Sequence, residues 1–313
     1  RYFFGSIQTT RGCPLCCNFC SVTAFNGGKF RHRPIQDVID ELRLIKEKVI
    51  LFVDNNLIGT RRDHLAYTKK LLSAMIAEKL TRPWICQATI NFADDEELLQ
   101  LAKKAGCMGV FIGFESPTEE GLIAVHKKFN IKRGGDIPGK IRRIQKNGIL
   151  VVGSFIMGID TDKKGISDIT TSTCVHYGLD AANVMVLTPL PGTALYKEMQ
   201  AKNRIIANDY PGDWQYYTLH HHVAKYENFT WKALMAEMNY FNDTYYAYEK
   251  IFRRILRIIV NNWREPHKIF LGVIANFSYR FNHVSDRTIE GVKAKRLRDE
   301  KRSHMILKWF RSG

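Results

Sequence analysis

The stretch Gly12–Cys20, GCPLCCNFC, decides how the rest of this sequence is interpreted. Cys13, Cys17 and Cys20 fit the spacing C-x3-C-x2-C. No other choice of the seven cysteines does, because the third cysteine that Cys16 would need is absent. Thiolates are soft ligands that suit iron–sulfur clusters, which normally use four of them. Three on one short loop would leave one iron without a protein ligand, and a small molecule can bind and react at such an open position.

A structural zinc site is the alternative for this loop, because Cys17 and Cys20 alone would supply half of one. Such a site needs a second pair of ligands. The remaining cysteines outside the loop are solitary: Cys86, Cys107 and Cys174. The sequence therefore favours a cluster, and we expect Cys16 to be a packed thiol beside it.

The cysteine loop resembles that of the radical S-adenosylmethionine (SAM) superfamily. The resemblance implies that Cys13, Cys17 and Cys20 hold a [4Fe-4S] cluster after the first strand of a barrel. It implies that the open iron takes the amino and carboxylate groups of SAM, and that Phe19 lies against the adenine. One electron, from a reductant such as ferredoxin or flavodoxin, would then cleave SAM to methionine and a 5′-deoxyadenosyl radical.

Composition and charge bound the class of protein. A chain of 313 residues with 45% hydrophobic residues is typical of a globular protein with a large core. An odd number of cysteines, three of them clustered, does not form a secreted disulfide framework, so we expect a reducing cytoplasm. The sequence shows no signal peptide and no apolar run near the ~20 residues of a membrane span. It opens at Arg1 inside a strand-like run, which indicates a fragment.

The positive charge is concentrated near the end of the sequence. Residues 250–313 hold 16 Lys and Arg against 5 Asp and Glu, whereas the whole chain carries +16. An excess of this kind predicts an acidic partner, either an anionic membrane surface or nucleic acid. Nucleic acid is less favoured, because the basic residues lack a regular interleaving with aromatic residues.

Residues 1–203 alternate short apolar runs with amphipathic helical stretches, which predicts an α/β fold with a partial six-stranded parallel barrel. The predicted strands are 2–7, 49–53, 84–90, 108–114, 149–156 and 182–187. Asp94 and Ser116 are predicted to begin helices, and residues 130–136 to form a polar loop. Residues 204–313 are predicted to be a mostly helical, basic C-terminal region.

In such barrels the chemistry lies at the carboxyl ends of the strands. The polar residues predicted there are Asp54, Asn55, Gln87, Glu115, Ser116, Ser154 and Asp160. Asp54 and Asn55 are equally plausible as turn formers, and Ser116 is more simply a helix cap. The carboxylate of Glu115 can accept two hydrogen bonds from a ribose.

The resemblance assigns roles to several of these positions. It implies that Glu115 binds the ribose of SAM, and that Asp54 and Asn55 replace the glycine-rich segment that holds the SAM amino group. Gly153 and Gly158 resemble a motif whose missing side chains let the backbone approach adenine. The predicted cofactor contacts are therefore Phe19, Asp54, Asn55, Gln87, Glu115, Ser116, Gly153, Ser154 and Gly158.

Two segments, 52–59 and 187–193, resemble the cobalamin-dependent branch of the superfamily, with hopanoid methylases nearest. The resemblance continues through 214–219 and into the helical C-terminal region. It implies methyl transfer from methylcobalamin to a polycyclic or isoprenoid lipid. The sequence contains no D-x-H-x-x-G motif, so cobalamin is implied by the resemblance alone, in a domain upstream of Arg1.

Beyond the barrel, residues 251–263 form an apolar stripe beside Arg253, Arg254 and Arg257. Such a helix can lie on a membrane surface or pack on the barrel with a solvated basic face. The further apolar segment Ile269–Phe277 favours the membrane, so we expect a cytoplasmic, peripheral protein. The charge run 293–302 is predicted to be solvated or only partly ordered.

Three other interpretations stay open at this stage. The triplet His220, His221 and His222 favours a polar loop near the barrel opening over a metal site, because consecutive residues cannot all face one ion. One alternative target of the chemistry is RNA instead of a lipid. The chain could also be a non-catalytic binding module that iron–sulfur or zinc stabilises.

Overall fold

The computed structural model describes residues 4–281. Within this range the strands are β1 (Phe4–Ile7), β2 (Thr10–Arg11), β3 (Arg31–His32), β4 (Val49–Phe52), β5 (Trp84–Ala88), β6 (Cys107–Glu115), β7 (Leu150–Met157) and β8 (Ala181–Val186). The helices of the barrel region are α1 (Ser21–Asn26), α2 (Ile35–Leu44), α3 (Arg62–Ala77), α4 (Glu96–Ala105), α5 (Glu119–Ala124), α6 (Lys128–Gly134), α7 (Ile137–Lys146), α8 (Ile166–Tyr177) and α9 (Ala194–Ala201). The C-terminal helices are α10 (Trp231–Tyr245), α11 (Tyr248–Asn262) and α12 (Pro266–Phe281).

Six of these strands form one parallel sheet in the order β1-β4-β5-β6-β7-β8. Successive strands of this sheet are joined by helical segments, as parallel pairing requires. The predicted α/β fold, with a six-stranded parallel sheet and a helical C-terminal region, is confirmed. The division at residue 203 stays a prediction.

The inner face of the sheet has two layers of different polarity. Alternate residues of a strand face opposite sides, and the register aligns Gly113 with Ser154 and Ser154 with Asn183. This upper, more polar layer lies toward the carboxyl ends of the strands. One step below it, Phe111 aligns with Val152, and the lower layer is apolar. The barrel therefore has a polar mouth above an apolar base.

Three local predictions in the barrel are wrong. The loop predicted at 130–136 is helix α6 as far as Gly134, because buried Asn130 holds that segment against β6 by donating hydrogen bonds to the carbonyls of Gly113 and Phe114. Helix α4 is capped by Asp95, whose Oδ1 accepts from Leu98, whereas Asp94 pairs with Lys140.

The third error concerns the start of α5. Thr118, and not Ser116, is the cap, because its hydroxyl accepts a hydrogen bond from the backbone N–H of Gly121. The Ser116 hydroxyl instead accepts from the N–H of Thr118. Both side chains therefore shape the turn after β6, in different roles from the predicted ones.

The C-terminal helices pack on the barrel and also expose apolar surface. Tyr246, just after α10, has its hydroxyl bonded to the backbone N–H and carbonyl of Ala182 in β8. In α11, Ile251 and Ile258 are buried. The same helix exposes Phe252, Leu256, Ile259 and Val260, and Trp263 directly after it is also exposed. No helix among residues 4–281 is long and apolar enough to cross a membrane, and the charge run 293–302 lies outside the described residues.

Candidate functional site

The cysteine loop lies at the carboxyl end of β1, between β2 and α1. The ladder between β2 and β3 pairs Arg11 with Arg31 and closes the base of the loop. Gly12 has a φ of +88°, and a Cβ there would collide with the carbonyl oxygen of Lys29, so this turn requires glycine. The pairing of β2 with β3 and the turn at Gly12 thus fix the position of the start of the cysteine loop.

Asp54 and Asn55, directly after β4, anchor the start of the loop. Asp54 is fully buried, and its Oδ1 accepts hydrogen bonds from the backbone N–H and the hydroxyl of both Thr9 and Thr10. Asn55 Oδ1 accepts from the N–H of Gly12 at 3.3 Å. The carboxylate of Asp54 therefore fixes the backbone that leads into the loop.

The far side of the loop is tied to α5 and α9. Asn18 donates its side-chain amide to the carbonyl of Ala124 at 3.0 Å. Its own carbonyl accepts from the N–H of Leu195 at 3.0 Å. Because contacts from three separate elements converge on it, the loop is positioned by the whole barrel mouth.

Cys13, Cys17 and Cys20 line one cavity of about 390 Å³ at this mouth. Cys17 is buried, and the other two are partly exposed. Burial raises the pKa of the Cys17 thiol to about 12, while nearby Lys127 opposes the rise. Among residues 4–281, no three His, Cys, Asp or Glu side chains converge on a position for a single metal ion.

A buried ion pair faces the cysteines across the cavity. Lys127 Nζ lies 2.9 Å from Glu115 Oε1, and the two side chains are only 8% and 10% exposed. Burial disfavours the ammonium of Lys127, but the charges of Glu115 and Cys17 outweigh this and raise its pKa above the usual value. Lys127 is therefore a fixed positive charge beside the thiols at neutral pH.

An irregularity in β6 aims Glu115 into the cavity. The register with β7 shifts between Gly113 and Glu115, and Glu115 has a φ of +66°. This backbone conformation turns the carboxylate back over Gly113, where a Cβ would collide with Oε1. Asn130 stabilises the turn through the carbonyls of Gly113 and Phe114. Strain at a non-glycine residue of this kind is commonly found at functional sites.

The structure brings most of the predicted site residues together. The cavity that holds the three cysteines is also lined by Phe19, Asn55, Gln87, Glu115 and Ser154. Four predicted cofactor contacts are not among the lining residues: Asp54, Ser116, Gly153 and Gly158. Gly153 instead faces Leu179, and Gly158 donates its N–H to Asp162. Asp160, at the end of β7, pairs with Arg204.

Two further expectations concern Cys16 and the histidine triplet. Cys16 is exposed and does not line the cavity, so the expectation of a packed thiol is wrong. The histidine triplet forms hydrogen bonds and ring contacts: His222 stacks on Trp231 at 4.9 Å, and His220 bonds to the carbonyl of Thr218. These contacts fit the predicted polar loop.

Sequence reasoning missed several residues of the cavity, of which the polar and sulfur-containing ones are Asn56, Thr89, Lys127, Asn183 and Met185. Alternation along β8 could have identified Asn183 and Met185, because they share a face. Lys127 gave no such signal, since it lies in the connection between α5 and α6 and not at the end of a strand.

The arrangement fits an iron–sulfur cluster that the protein holds by three thiolates. Metal binding displaces thiol protons, which offsets the raised pKa of Cys17. A cluster with three thiolate ligands is an anionic group, and Lys127 supplies a compensating charge. Polar side chains at the strand ends line the same cavity as the thiols, where they can bind a further polar ligand.

The comparisons with known proteins agree with this geometry. A model described as the radical SAM superfamily matches residues 7–167, just over half of the chain. Hopanoid C-2 methylase of Rhodopseudomonas palustris (strain TIE-1) is 30% identical over 213 residues, which are 67% of this chain and 40% of that protein. Bacteriochlorophyllide d C-12(1)-methyltransferase of Chlorobaculum tepidum is 30% identical over 223 residues, 69% of this chain and 46% of that one. The chain thus spans less than half the length of these relatives.

Solved structures share the fold. The radical SAM methyltransferase TsrM from Kitasatospora setae, with cobalamin and a [4Fe-4S] cluster bound, gives a TM-score of 0.55 at 20% identity. That likeness covers 64% of this chain and 39% of the other. The cobalamin-dependent radical SAM enzyme OxsB, with aqua-cobalamin bound, gives 0.57 at 13% identity and covers 88% and 46%.

The predicted resemblance, including that to hopanoid methylases, is therefore confirmed. The family match begins at the last residue of β1, includes the whole cysteine loop and ends at the start of α8. It covers over half of the chain and all of the lining residues of the cavity except Asn183 and Met185 in β8, and on this ground the chain belongs to the radical SAM superfamily.

Proposed function

We propose that this chain is the catalytic core of a radical SAM methylase. The observation that carries the proposal is the single cavity at the barrel mouth, which Cys13, Cys17 and Cys20 share with the buried cation of Lys127. When bound, the cluster and SAM supply the chemistry: one-electron cleavage to methionine and a 5′-deoxyadenosyl radical, which activates a C–H bond. The electron comes from a reductant such as ferredoxin or flavodoxin.

The side chains of this chain bind and orient these groups. Lys127 offers its ammonium to the carboxylate of SAM, and Glu115 accepts hydrogen bonds from the ribose hydroxyls. The two side chains remain adjacent, so one buried pair contacts both the methionine part and the ribose of the cofactor. Phe19 provides an apolar surface for the adenine, and Asn55 and Gln87 supply polar contacts. The protein must also keep water from the radical.

Matched cysteine variants test the cluster and the cleavage of SAM. After anaerobic reconstitution and reduction, the unmodified chain should bind iron and convert SAM to 5′-deoxyadenosine. Cys17→Ala should abolish both, whereas Cys16→Ala should change neither, because Cys16 is exposed and outside the cavity. A protein that binds zinc tightly and forms no 5′-deoxyadenosine would instead be a non-catalytic binding module.

The substrate we propose is a lipid such as a hopanoid or an isoprenoid. Below the cysteine cavity lies a second cavity of about 310 Å³, enclosed by the apolar lower layer of the sheet and by α12. Phe111 lines both cavities. The volume lies at the lower end of ligand pockets, ~300–1,000 Å³, and exceeds the ~150 Å³ of an apolar cavity that binds benzene. A hydrocarbon segment here would place its end beside the cofactor cavity.

A cavity-filling variant tests this assignment. Ala181 is buried and lines the lower cavity, so a larger side chain at this position would occupy part of the cavity. Ala181→Leu should therefore fold normally and reduce the binding of Nile red, a neutral apolar dye, by about tenfold. The exposed variant Phe270→Leu on α12 is the control. Equal dye binding by all three proteins would remove the lower cavity as a hydrocarbon site.

We further propose that the methyl group comes from methylcobalamin held by a part of the protein outside this chain. The support is kinship with methylases whose length exceeds this chain. The full-length protein should bind cobalamin and transfer a methyl group from SAM to the lipid. A full-length protein that lacks cobalamin yet forms 5′-deoxyadenosine would keep the radical chemistry and exclude this methyl donor.

Peripheral binding to an anionic membrane at the cytoplasmic side completes the proposal. The exposed apolar residues of α11 lie beside arginines on the same helix, a pattern that suits an anionic surface. Vesicles that contain phosphatidylglycerol should bind the chain more tightly than neutral vesicles, and salt should weaken this binding. Tighter binding to tRNA than to anionic vesicles would favour RNA as the substrate.

A further inference from the structure

A third cavity, of about 220 Å³, lies between the C-terminal end of α8 and helix α11. We call it the basic pocket, because α11 lines it with four cationic side chains: Lys250, Arg253, Arg254 and Arg257. Residues three and four apart share one face of a helix, so this spacing brings all four together. None of the other side chains that line the pocket is acidic.

Arg254 is the buried member of the pocket and has a donor to spare. It is only 8% exposed and lies 4.2 Å from the centre of the Tyr245 ring. Its Nε donates to Asn276 and its Nη1 to the carbonyl of Tyr245, whereas Nη2 has no partner among residues 4–281. A buried donor without an acceptor costs about 1–3 kcal/mol, more when it is charged. The buried guanidinium of Arg254 therefore lacks one acceptor that residues 4–281 could supply.

The positive charge of the pocket is largely uncompensated. Arg257 pairs with Asp180 at 3.0 Å, and its Nε lacks a partner within the described part of the chain. Lys250 and Arg253 form no salt bridge with a carboxylate in residues 4–281. A single carboxylate, which does not itself line the pocket, thus pairs with one of the four cations, and an anion is the group that such a site would bind.

We propose that the basic pocket binds a phosphate group. Guanidinium groups match the oxygen geometry of phosphate and bind it in preference to monovalent anions such as chloride. The pocket volume equals that of roughly seven waters at ~30 Å³ each, enough for a phosphate and part of the molecule that carries it. Two sources have this chemistry: the headgroup of a phospholipid and a soluble phosphate. The site does not depend on the chemistry proposed for the cysteine cavity.

A pair of charge-matched variants tests the site by calorimetric titration of the intact chain with inorganic phosphate. Lys250→Gln with Arg253→Gln removes two exposed or partly exposed cations of the pocket. Lys46→Gln with Lys48→Gln removes two exposed lysines from the turn before β4, far along the chain. The pocket variant should bind phosphate at least about tenfold more weakly, since hydrogen bonds to charged groups contribute ~1.5–3 kcal/mol. The control should bind within about twofold of the unmodified chain.

Equal weakening in both variants would mean unspecific charge attraction and would overturn the proposal. So would a pocket variant with a lower unfolding temperature but unchanged phosphate affinity, because the cations would then serve only to stabilise the end of α8. Arg254→Lys keeps the charge and loses the guanidinium; it should also weaken phosphate binding if the fork of donors matters.

Vesicles separate the two sources of phosphate. If the ligand is a lipid headgroup, vesicles of phosphatidylcholine with phosphatidic acid should bind the unmodified chain. The pocket variant should then fail to bind these vesicles, and added inorganic phosphate should release the unmodified chain from them. If the ligand is soluble, phosphate should bind as expected while the pocket variant leaves vesicle binding unchanged. Either result supports the site. The absence of phosphate binding by the unmodified chain would remove it.

Discussion

The ammonium of Lys127 lies 2.9 Å from the carboxylate of Glu115, inside a cavity where both side chains are about nine-tenths buried. Breaking a buried pair by removing one partner leaves an uncompensated charge, which typically costs ~3–5 kcal/mol. Lys127→Met should therefore lower the free energy of unfolding by roughly that amount in a denaturant titration.

The double variant Lys127→Met with Glu115→Gln should recover part of this loss, because no lone charge remains. The exposed pair Lys202 and Glu198, at 2.8 Å, is the control; Lys202→Met should hardly alter stability. Additive losses from the two cavity substitutions would show that the pair is not coupled.

Asp54→Ala should loosen the cysteine loop. The substitution leaves two backbone N–H groups and two hydroxyls, those of Thr9 and Thr10, without their acceptor. Since each buried unsatisfied group costs about 1–3 kcal/mol, we expect a loss of several kcal/mol in unfolding free energy and less iron bound after reconstitution. Asp63→Ala, at an exposed position, should bind iron normally. Full iron content in Asp54→Ala would show that the loop keeps its conformation without this carboxylate.

Gly113→Ala should displace the Glu115 carboxylate without unfolding the protein. A Cβ at position 113 would meet Oε1 of Glu115, which is the movable end of a side chain. We expect a normal unfolding temperature and at least about tenfold weaker binding of SAM to the reconstituted chain, measured by equilibrium dialysis. Gly134→Ala, where the new methyl would make ordinary contacts, is the control. An unchanged affinity for SAM would show that Glu115 has no role in SAM binding.

Asp162 should make stability fall as the pH rises. Burial raises its pKa to about 6 from the ordinary 3.8, although the backbone N–H groups of Gly158 and Ile159 oppose the shift. The folded state thus binds the carboxyl proton more tightly than the unfolded chain does. Its favourable contribution is complete below pH ~4 and is lost as the pH rises through about 6, a difference of about 3 kcal/mol.

Asp162→Asn should remove this dependence. The difference in unfolding free energy between the variant and the unmodified chain, measured by denaturant titration from pH 4.5 to 7.5, should change in favour of the variant as the pH rises. Asp168→Asn, at an exposed position on α8, should show a constant difference. Parallel curves for Asp162→Asn would mean that the carboxyl is ionised throughout.

The strand order and the cysteine cavity could be predicted because both depend on local patterns. Apolar runs separated by amphipathic helices give a parallel sheet, and residues just after strands gather at one edge. That reasoning placed Glu115 and Ser154 correctly beside the cysteines. It could not separate Asn55, which reaches the cavity, from Asp54, which faces the loop backbone, because one residue of chain decides between two opposite directions.

The remaining errors have a different physical origin. Asn130 begins the segment 130–136, whose polarity indicates a loop, yet its hydrogen bonds to β6 hold it on the barrel. Lys127, just before that segment, is held there by its pairing with Glu115. Such tertiary contacts override local preference. The basic pocket was invisible for a similar reason: the arginines of α11 were recognised in sequence, but not that they close around the end of α8.

Phe111 lies where the polar and apolar halves of the barrel meet, and the proposed function gives these two halves different tasks. In the proposed function, the polar residues above Phe111 would contact the cluster and SAM. The apolar residues below it would contact only the substrate. A descendant could therefore acquire a new target by exchanging a handful of hydrocarbon side chains at the base, with the reactive machinery left untouched.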